Sequence, residues 1–471
     1  MPPCDAALLE PDLATNEASA LILREAGALS KKEGARIARA LLGLGEVIRR
    51  GEFSLDPALE DVHINLETAL GKLAGEVAGK LHAGRSRNDQ VACDIRLWHR
   101  DRILAHLENM VLAIGLMLDR AEEEKNTTMP GFSHHQRAFI TTFGHLLASY
   151  AEARSRDLAR GREVFERTNR CPLGAAAGFG TSWPIDRELA AKLLGFEGLV
   201  ENSLDAVTSR VEVETDVAIW LAMWMTHCAT LAQDLILFSM EEFRWIRLAP
   251  ETTTGSSIMP QKRNPDFAEV IKAKASVVHG ALASLLSLAK GQPSGYHRDS
   301  QLSKPLGQDI WREVESIPEV LGLVFRTMKP DRKRMREAVS GGFLEAAEWA
   351  DAIAQESGLP FRSVYTAVGV AVDRARGAGR LDRKTVNSTL TEHGIDFQVN
   401  AGLEKRLSRP EALLANRLTL GSPNPKRVEE HVARLRDELE KRGREIARKK
   451  RAVARAEKDR RARLVEVSKG L

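Results

Sequence analysis

Apolar residues recur at helical spacing over most of the chain, and four long runs stand out. The first extends from Arg96 to Glu122 and carries an apolar stripe at intervals of three and four residues. The second, Val211–Phe243, is apolar almost all round, which is typical of a helix at the centre of a large bundle. Pro265 and Asp266 open a third run, since proline suits a first helical turn, and a fourth extends from about Pro305 to Thr327.

These runs predict an all-α fold. Strand-like alternation is nearly absent and the loops contain glycine and proline, so we expect an elongated helical bundle rather than a doubly wound sheet. A chain of 471 residues is too long for one compact core. We therefore expect an N-terminal helical domain at 1–94, a central long-helix domain at 95–341, a small C-terminal helical domain at 342–440 and a basic tail at 441–471.

The tail raises the question of a nucleic-acid partner. The net charge of the chain is +4, yet the residues from Pro425 onward include 17 basic and 9 acidic side chains. Basic and acidic residues alternate there, and no aromatic residue is available to stack on bases. We expect a solvated terminal helix, and nucleic-acid binding is not the favoured interpretation.

Cysteine usage and hydropathy indicate a cytoplasmic protein. The four cysteines are scattered, which favours reduced thiols over a disulfide framework. The N-terminus lacks the basic start and apolar run of a secretory signal. The longest uncharged stretch, Val217–Gln233, is shorter than a bilayer span, so we expect no membrane partner.

The polar segment HAGRSRNDQ (residues 82–90) lies just before the first long run. Arg85 and Arg87 can each bind a carboxylate with two parallel hydrogen bonds, and Asn88 can add donors. The segment is therefore a candidate site for an acidic substrate. A polar interdomain loop would have the same composition.

The segment PGFSHHQRA (residues 130–138) places His134 and His135 side by side next to Ser133. Histidine in general titrates near neutrality, as a general acid or base must. An exposed or structural histidine pair is the alternative.

The segment TTTGSSIMPQKRNPD (residues 252–266) is the most informative of the polar stretches. A loop anchored by Gly255 can close over a substrate, and its backbone N–H groups, with Lys262 and Asn264, can stabilise developing negative charge. A flexible solvated loop would not explain the apolar Ile258 and Met259 within it.

A fourth segment, PSGYHRDSQLSKP (residues 293–305), offers Tyr296, Arg298, Gln301 and Lys304, and taken alone is weak evidence. The sequence contains no glycine-rich phosphate loop, no paired His/Cys metal spacing and no nucleophile elbow. We therefore expect neither a metal nor a nucleotide cofactor.

Together these segments resemble the fumarase/aspartase superfamily of lyases. GSSIMPQKRNP resembles its signature loop, PGFSHHQRA resembles its second region, and HAGRSRNDQ is similar to the argininosuccinate lyase form of its first region. The resemblance extends over nearly the whole chain up to about Lys441.

The resemblance implies a fold, an assembly and an activity. The fold is mostly helical in three domains, and the central helices form a twenty-helix core in a homotetramer whose active sites each draw on three subunits. The apolar run Val211–Phe243 is consistent with such a core. The implied reaction is elimination of argininosuccinate, the small-molecule substrate, to fumarate and arginine.

Residue roles follow from the same resemblance. Ser256 matches the catalytic base, His134 the histidine that assists proton donation, and Glu269 the carboxylate that pairs with this histidine. Lys262 and Asn264 match residues that hold the substrate carboxylate and its developing charge. Further positions match substrate-binding residues: Arg87, Asn88, Ser133, Tyr296, Gln301 and Lys304.

Several positions depart from the family pattern. Ala83 replaces a threonine, His297 replaces an asparagine, and Leu302–Ser303 replace an acidic pair before Lys304. Asn16 and Ser19 stand where a serine and a histidine are common. Two alternatives stay open: a sister lyase that releases fumarate from adenylosuccinate or aspartate, and a structural protein recruited from the family without activity.

Overall fold

The computed structural model describes residues 3–470. It has long helices, a β-hairpin and one further short strand pair, and the expected all-α fold is confirmed. The N-terminal part contains α1 (Leu9–Glu25), α2 (Lys31–Arg49) and α3 (Val62–Ala74). Ser30 caps α2 through a reciprocal hydrogen-bond pair with Glu33, which satisfies the exposed first-turn N–H groups.

Six long helices form the central bundle: α4 (Arg87–Glu123), α5 (Phe143–Thr168), α8 (Arg210–Ser239), α9 (Asp266–Ala289), α10 (Ser303–Val314) and α11 (Ile317–Thr327). The shorter α6 (Arg187–Leu194) and α7 (Ser203–Thr208) lie between α5 and α8. The fourth predicted helix is in fact two. Pro318 lacks the N–H that would continue the helix from Val314, so α10 ends and α11 begins there.

The helices of the bundle share two common ends. On α4 and α8, Arg96 lies near Ser209 and His106 near Trp220, so these two helices are parallel. On α8 and α9, Thr226 contacts His279 and Gln233 contacts Lys272, so α9 is antiparallel to α8. We call the end with the starts of α4, α8 and α10 the proximal end. The distal end has the start of α9 and the ends of α4 and α8.

Two short strand pairs lie at the distal end. Strands β1 (Thr128–Ser133) and β2 (Gln136–Thr142) form an antiparallel hairpin directly after α4. Strands β3 (Ile246–Arg247) and β4 (Lys329–Pro330) join the segments after α8 and α11.

A second hydrophobic core forms C-terminal to the bundle. Its buried residues lie at 339–414 and include Trp349 and Ile353, and Ile140 of β2 packs into it. Helix α12 (Arg332–Ala338) precedes this core, and its buried Met335 belongs to the core of the bundle. The helices of the second core are α13 (Ala346–Ser357), α14 (Phe361–Arg374), α15 (Arg383–Glu392), α16 (Ala401–Leu407) and α17 (Pro410–Ala415). The domain boundaries near Asp94 and Gly341 stay predictions, and Asp94 lies inside α4.

The basic tail is the second half of one continuous helix, α18 (Pro425–Ser468), which packs along α4, α5 and the N-terminal helices. Leu464 is buried, and the Arg460 guanidinium forms a buried ion pair with Glu17 of α1 at 2.9 Å. The expectation of a solvated tail is therefore wrong for this face, because it packs on the N-terminal helices. The opposite face carries exposed cations.

Candidate active site

Arg87 and Asn88 lie in the first turn of α4, at the proximal end. Ser86 caps the helix, and its Oγ accepts from the N–H of Asn88 at 3.2 Å. The Arg87 guanidinium is partly exposed and lies 3.2 Å from Asp61 and 3.7 Å from Glu67. It can therefore exchange these carboxylates for a substrate carboxylate with little movement.

Asp89 fixes the loop in front of this turn. Its carboxylate accepts from the N–H groups of Ser86, Gly174 and Ala176, each at 2.9 Å. Burial raises the pKa of Asp89 to about 6, although these hydrogen bonds favour the charged form. The segment 172–178 is thereby held against the start of α4.

Among the described residues, the one group that could hold a metal ion is Asp12, His63 and Asp94, which are all buried. His63 Nδ1 lies 3.0 Å from Asp12 and 3.4 Å from Asp94. Burial raises the pKa of both carboxyls, and the charge of Asp12 adds to the rise at Asp94, whose pKa lies well above its ordinary value; the positive charge of Arg85 opposes both shifts. The Arg85 guanidinium donates to Asn16 Oδ1 at 2.9 Å and to Ser19 Oγ at 3.3 Å, so it joins the HAGRSRNDQ segment to α1.

The segment that carries Tyr296, Gln301 and Lys304 also lies at the proximal end. The Arg210 guanidinium of α8 covers the Tyr296 ring at 4.6 Å from its centroid. Gln301 accepts a hydrogen bond from Arg298 at 3.3 Å. Lys304 is buried and its ammonium contacts the carboxylate of Asp5, so this predicted substrate ligand is engaged within the chain.

Ser133 and His134 lie at the distal end. His134 and His135 form the two-residue turn of the β1–β2 hairpin, with φ of 51° and 60°. Such turns favour glycine or asparagine, so two histidines with positive φ are strained. The turn presents both imidazoles to solvent beyond the end of the bundle.

Ser256, Lys262 and Asn264 lie in the distal loop between α8 and α9. An antiparallel bridge between Thr254 and Asn264 closes the loop at its base. Within the loop, Ser256 Oγ accepts from the backbone N–H groups of Ile258 at 3.3 Å and Met259 at 3.2 Å. Two converging N–H donors stabilise negative charge on that oxygen.

Glu269 is exposed in the first turn of α9, close along the chain to this loop. In residues 3–470, no hydrogen bond or ion pair joins Glu269 to His134, or either of them to Ser256. The predicted residues thus fall into a proximal set and a distal set: the proximal set is Arg87, Asn88, Tyr296, Gln301 and Lys304, and the distal set is Ser133, His134, Ser256, Lys262, Asn264 and Glu269.

The sequence interpretation missed Arg210 and Glu214, which support the proximal set. Both are buried, and Glu214 accepts from Ser303 Oγ at 2.7 Å. The sequence did carry a signal for these two residues. Arg210 and Glu214 are opposite charges four residues apart at the start of the apolar run Val211–Phe243, where charged side chains are unexpected.

The sequence of the chain is similar to those of known enzymes. A sequence model of the Lyase family matches residues 7–280. The chain is 38% identical over 443 residues to the argininosuccinate lyase of Alcanivorax borkumensis, with 93% of each chain covered. It is 40% identical over 442 residues to that of Thiobacillus denitrificans, again with 93% of each covered.

Solved structures agree with the fold. EDDS lyase in complex with formate superposes with a TM-score of 0.87 at 26% identity, covering 99% of this chain and 93% of that one. Class II fumarase from Schistosoma mansoni has a TM-score of 0.70 at 15% identity, covering 88% of this chain and 91% of that one, and supports the fold alone. The family match and the identity to relatives over most of their length lead to one assignment: the chain belongs to the argininosuccinate lyase family of the fumarase/aspartase superfamily.

Proposed function

We propose that the protein is a carbon–nitrogen lyase that eliminates arginine from argininosuccinate and releases fumarate. The observation that carries this function is the 38% to 40% identity to argininosuccinate lyases over 92% to 93% of the chain. The departures at Ala83 and His297 leave the proposed acid, base and anion-binding groups in place.

Ser256 is the proposed general base. A serine hydroxyl is a weak base unless its anion is stabilised. The N–H groups of Ile258 and Met259 supply that stabilisation, and Lys262 in the same loop supplies a positive charge. The alkoxide removes the proton from the carbon next to the substrate carboxylate.

Proton removal produces a doubly negative aci-carboxylate, which needs donors that are already in place. Lys262 and Asn264 are the proposed donors. The C–N bond then breaks, and the leaving guanidino nitrogen accepts a proton with the help of His134, paired with Glu269. Arg87, Asn88, Ser133, Tyr296, Gln301 and Lys304 are the proposed substrate-binding positions.

A single chain does not bring these groups together. Helix α4 separates Arg87 at its start from the His134 hairpin after its end, and its 37 residues extend about 55 Å at 1.5 Å per residue. A substrate smaller than this distance cannot contact both residues in one chain. We therefore propose that the proximal set of one subunit meets the distal set of another.

The exposed face of α8 and α9 supports the same assembly. By length and composition both helices are apolar enough to cross a membrane, yet only 22% of the most apolar stretch of α9 is buried within the chain. The exposed apolar side chains include Ile219, Met223, Val270, Val277 and Leu286. We propose that this face is covered by other copies of the chain, and not by lipid. The assembly that we propose is a cytoplasmic homotetramer.

The test is fumarate release, followed by ultraviolet absorbance. The purified protein is offered argininosuccinate, adenylosuccinate, aspartate and EDDS separately, the last because EDDS lyase superposes over 99% of this chain. Turnover of argininosuccinate alone is expected. Turnover of another substrate only would redirect the assignment to a sister lyase, and no turnover by a folded oligomer would contradict the proposed activity.

The proposed base has a matched control. Ser256→Ala is expected to lower kcat about 10²–10⁴-fold, the usual contribution of a general base. The neighbouring Ser257→Ala is expected to leave kcat within about twofold, because Ser257 is exposed and has no assigned role. Equal losses in both variants would contradict the assignment of Ser256.

A further inference from the structure

A buried carboxylate, Glu214 of α8, lies beneath the segment that carries the proximal substrate-binding residues. It is 1% exposed, and its Oε1 accepts from Ser303 Oγ at 2.7 Å. Its side chain also packs against Gly307, where an added Cβ would lie 3.2 Å from the Glu214 Cγ. Glu214 therefore contacts the first turn of α10 directly, next to Lys304.

One helical turn before Glu214, Arg210 holds the other end of the segment. Arg210 is 5% exposed, and its guanidinium lies over the Tyr296 ring. Burial raises the pKa of the Glu214 carboxyl, and the positive charges of Arg210 and Arg96 oppose that shift. Among residues 3–470 no ion pair within 4 Å joins Glu214 to either arginine, and Glu214 Oε2 has no hydrogen-bond partner. The carboxylate therefore acts on the two buried guanidinium groups as a nearby opposite charge in a medium of low dielectric constant, not as a direct contact.

We infer that Glu214 is a positioning residue for substrate binding, which holds the start of α10 through its hydrogen bond with Ser303 and whose charge favours the Arg210 guanidinium in its place over the Tyr296 ring. The inference rests on the proposed function, because it takes Tyr296 and Lys304 as substrate ligands. It also accounts for one departure in the sequence. Ser303 stands where the family pattern has an acidic residue, and Glu214 places a carboxylate against that position from the neighbouring helix.

The first variant is Glu214→Gln, which keeps the shape and removes the charge. We expect KM for argininosuccinate to rise about tenfold or more, with kcat changed less, because Tyr296 and α10 shift while the distal base is untouched. Glu163→Gln is the control, since Glu163 is exposed on the neighbouring helix α5 and has no assigned role, and its KM is expected to stay within about twofold of wild type.

A rescue separates charge compensation from general damage. Ser303→Asp in the Glu214→Gln background returns a carboxylate to the same buried contact, and KM is expected to recover to within about threefold of wild type. Ser303→Asp alone places two carboxylates together and is expected to raise KM. Additive losses in the double variant would contradict the inference.

A second cycle tests the route through Tyr296. In the Tyr296→Ala background, Glu214→Gln is expected to add less to KM than it does in wild type, because the ring through which part of its effect passes is absent. Full additivity would contradict the connection. If Glu214→Gln does not fold, Glu214→Asp takes its place: the shortened side chain loses contact with Ser303, and a wild-type KM in that folded variant would overturn the inference.

A binding measurement keeps this inference separate from the proposed function. In the Ser256→Ala background, the Kd for argininosuccinate is measured by calorimetry with and without Glu214→Gln, and weaker binding by about tenfold is expected. An unchanged Kd would contradict the inference. Wild-type protein that binds argininosuccinate without turnover would contradict the proposed function alone.

Discussion

Replacement of His106 tests the packing of the central bundle. His106 of α4 is buried among Trp220, Trp224 and Trp311, whose rings meet it edge-on with centroids 5.6 to 5.8 Å away. Neither ring nitrogen has a hydrogen-bond partner among residues 3–470. Burial lowers the pKa of His106 from 6.5 to about 3, so the imidazole is neutral in the folded protein.

The sign of the pH dependence follows from this difference. Because the folded-state pKa is lower than the unfolded one, the unfolded chain binds more protons between about pH 6.5 and 3. Folding stability is therefore complete above pH 6.5 and falls as the pH decreases, by about 1.4 kcal/mol per pH unit for this group. At pH 5.0 the loss from His106 is about 2 kcal/mol.

The perturbation is His106→Leu. Near pH 7.5 two effects oppose each other: relief of the unpaired ring nitrogens gains about 1–3 kcal/mol, and loss of the aromatic contacts costs a similar amount. The free energy of unfolding of the variant is therefore expected to lie within about 1 kcal/mol of that of wild type at pH 7.5. At pH 5.0 the free energy of unfolding of the variant is expected to increase by about 2 kcal/mol relative to that of wild type, because leucine does not titrate.

The assay is urea unfolding of wild type and variant at equal protein concentration, at pH 7.5 and 5.0. The difference between the two proteins cancels the other titrating groups, such as the buried carboxylates. His99→Leu on the same helix separates the hydrogen-bond effect from titration: His99 Nδ1 accepts from Trp311 Nε1 at 3.0 Å, so its loss is expected to cost about 1–3 kcal/mol at pH 7.5. Burial also lowers the pKa of His99 to about 3, so a similar change between pH 7.5 and 5.0 is expected for this variant. A variant-to-wild-type difference for His106→Leu that is equal at both pH values would refute the reasoning.

Two further predictions concern the tail and the exposed face. Arg460→Leu leaves the buried Glu17 carboxylate unpaired and is expected to lower the free energy of unfolding in urea by about 3–5 kcal/mol. The double replacement Arg460→Leu with Glu17→Leu is expected to recover most of that loss. An unchanged midpoint in the single variant would show that the tail is not docked. Val277→Glu places a charge on the exposed apolar face of α9 and is expected to give a smaller species by light scattering together with loss of fumarate release. A fully active tetramer of that variant would contradict the proposed subunit contact.

The long helices could be predicted because their periodicity is local. The runs at Val211–Phe243 and after Pro265 correspond to α8 and α9 within a few residues. The division at Pro318 could also have been found, since proline disfavours a helix interior, but the apolar pattern continues across it. The start of α4 lies at Arg87 rather than Arg96, because the Ser86 cap precedes the apolar stripe.

The supports of the site could not be predicted in the same way, because they join distant parts of the chain. Lys304 pairs with Asp5 and Glu17 with Arg460, and no local pattern indicates either contact. We expected a solvated tail because its basic and acidic residues alternate and no aromatic residue lies among them, although the buried residues recur on one face. The separation of Arg87 from His134, by contrast, could have been predicted, because the helical run Arg96–Glu122 lies between the two motifs and extends about 40 Å at 1.5 Å per residue.

The most direct test of the shared site is complementation between two inactive variants. One is Asn88→Ala, in the proximal set, and the other is Ser256→Ala, in the distal set. The two are unfolded together and refolded as mixed oligomers, with each variant refolded alone as the control. If each site combines the two sets from different chains, about a quarter of the sites in a random mixture contain neither lesion, and about a quarter of wild-type fumarate release is expected. Recovery to that level would support a site built between subunits, whereas a mixture as inactive as its components would contradict it, because every chain then carries its own lesion into its own site.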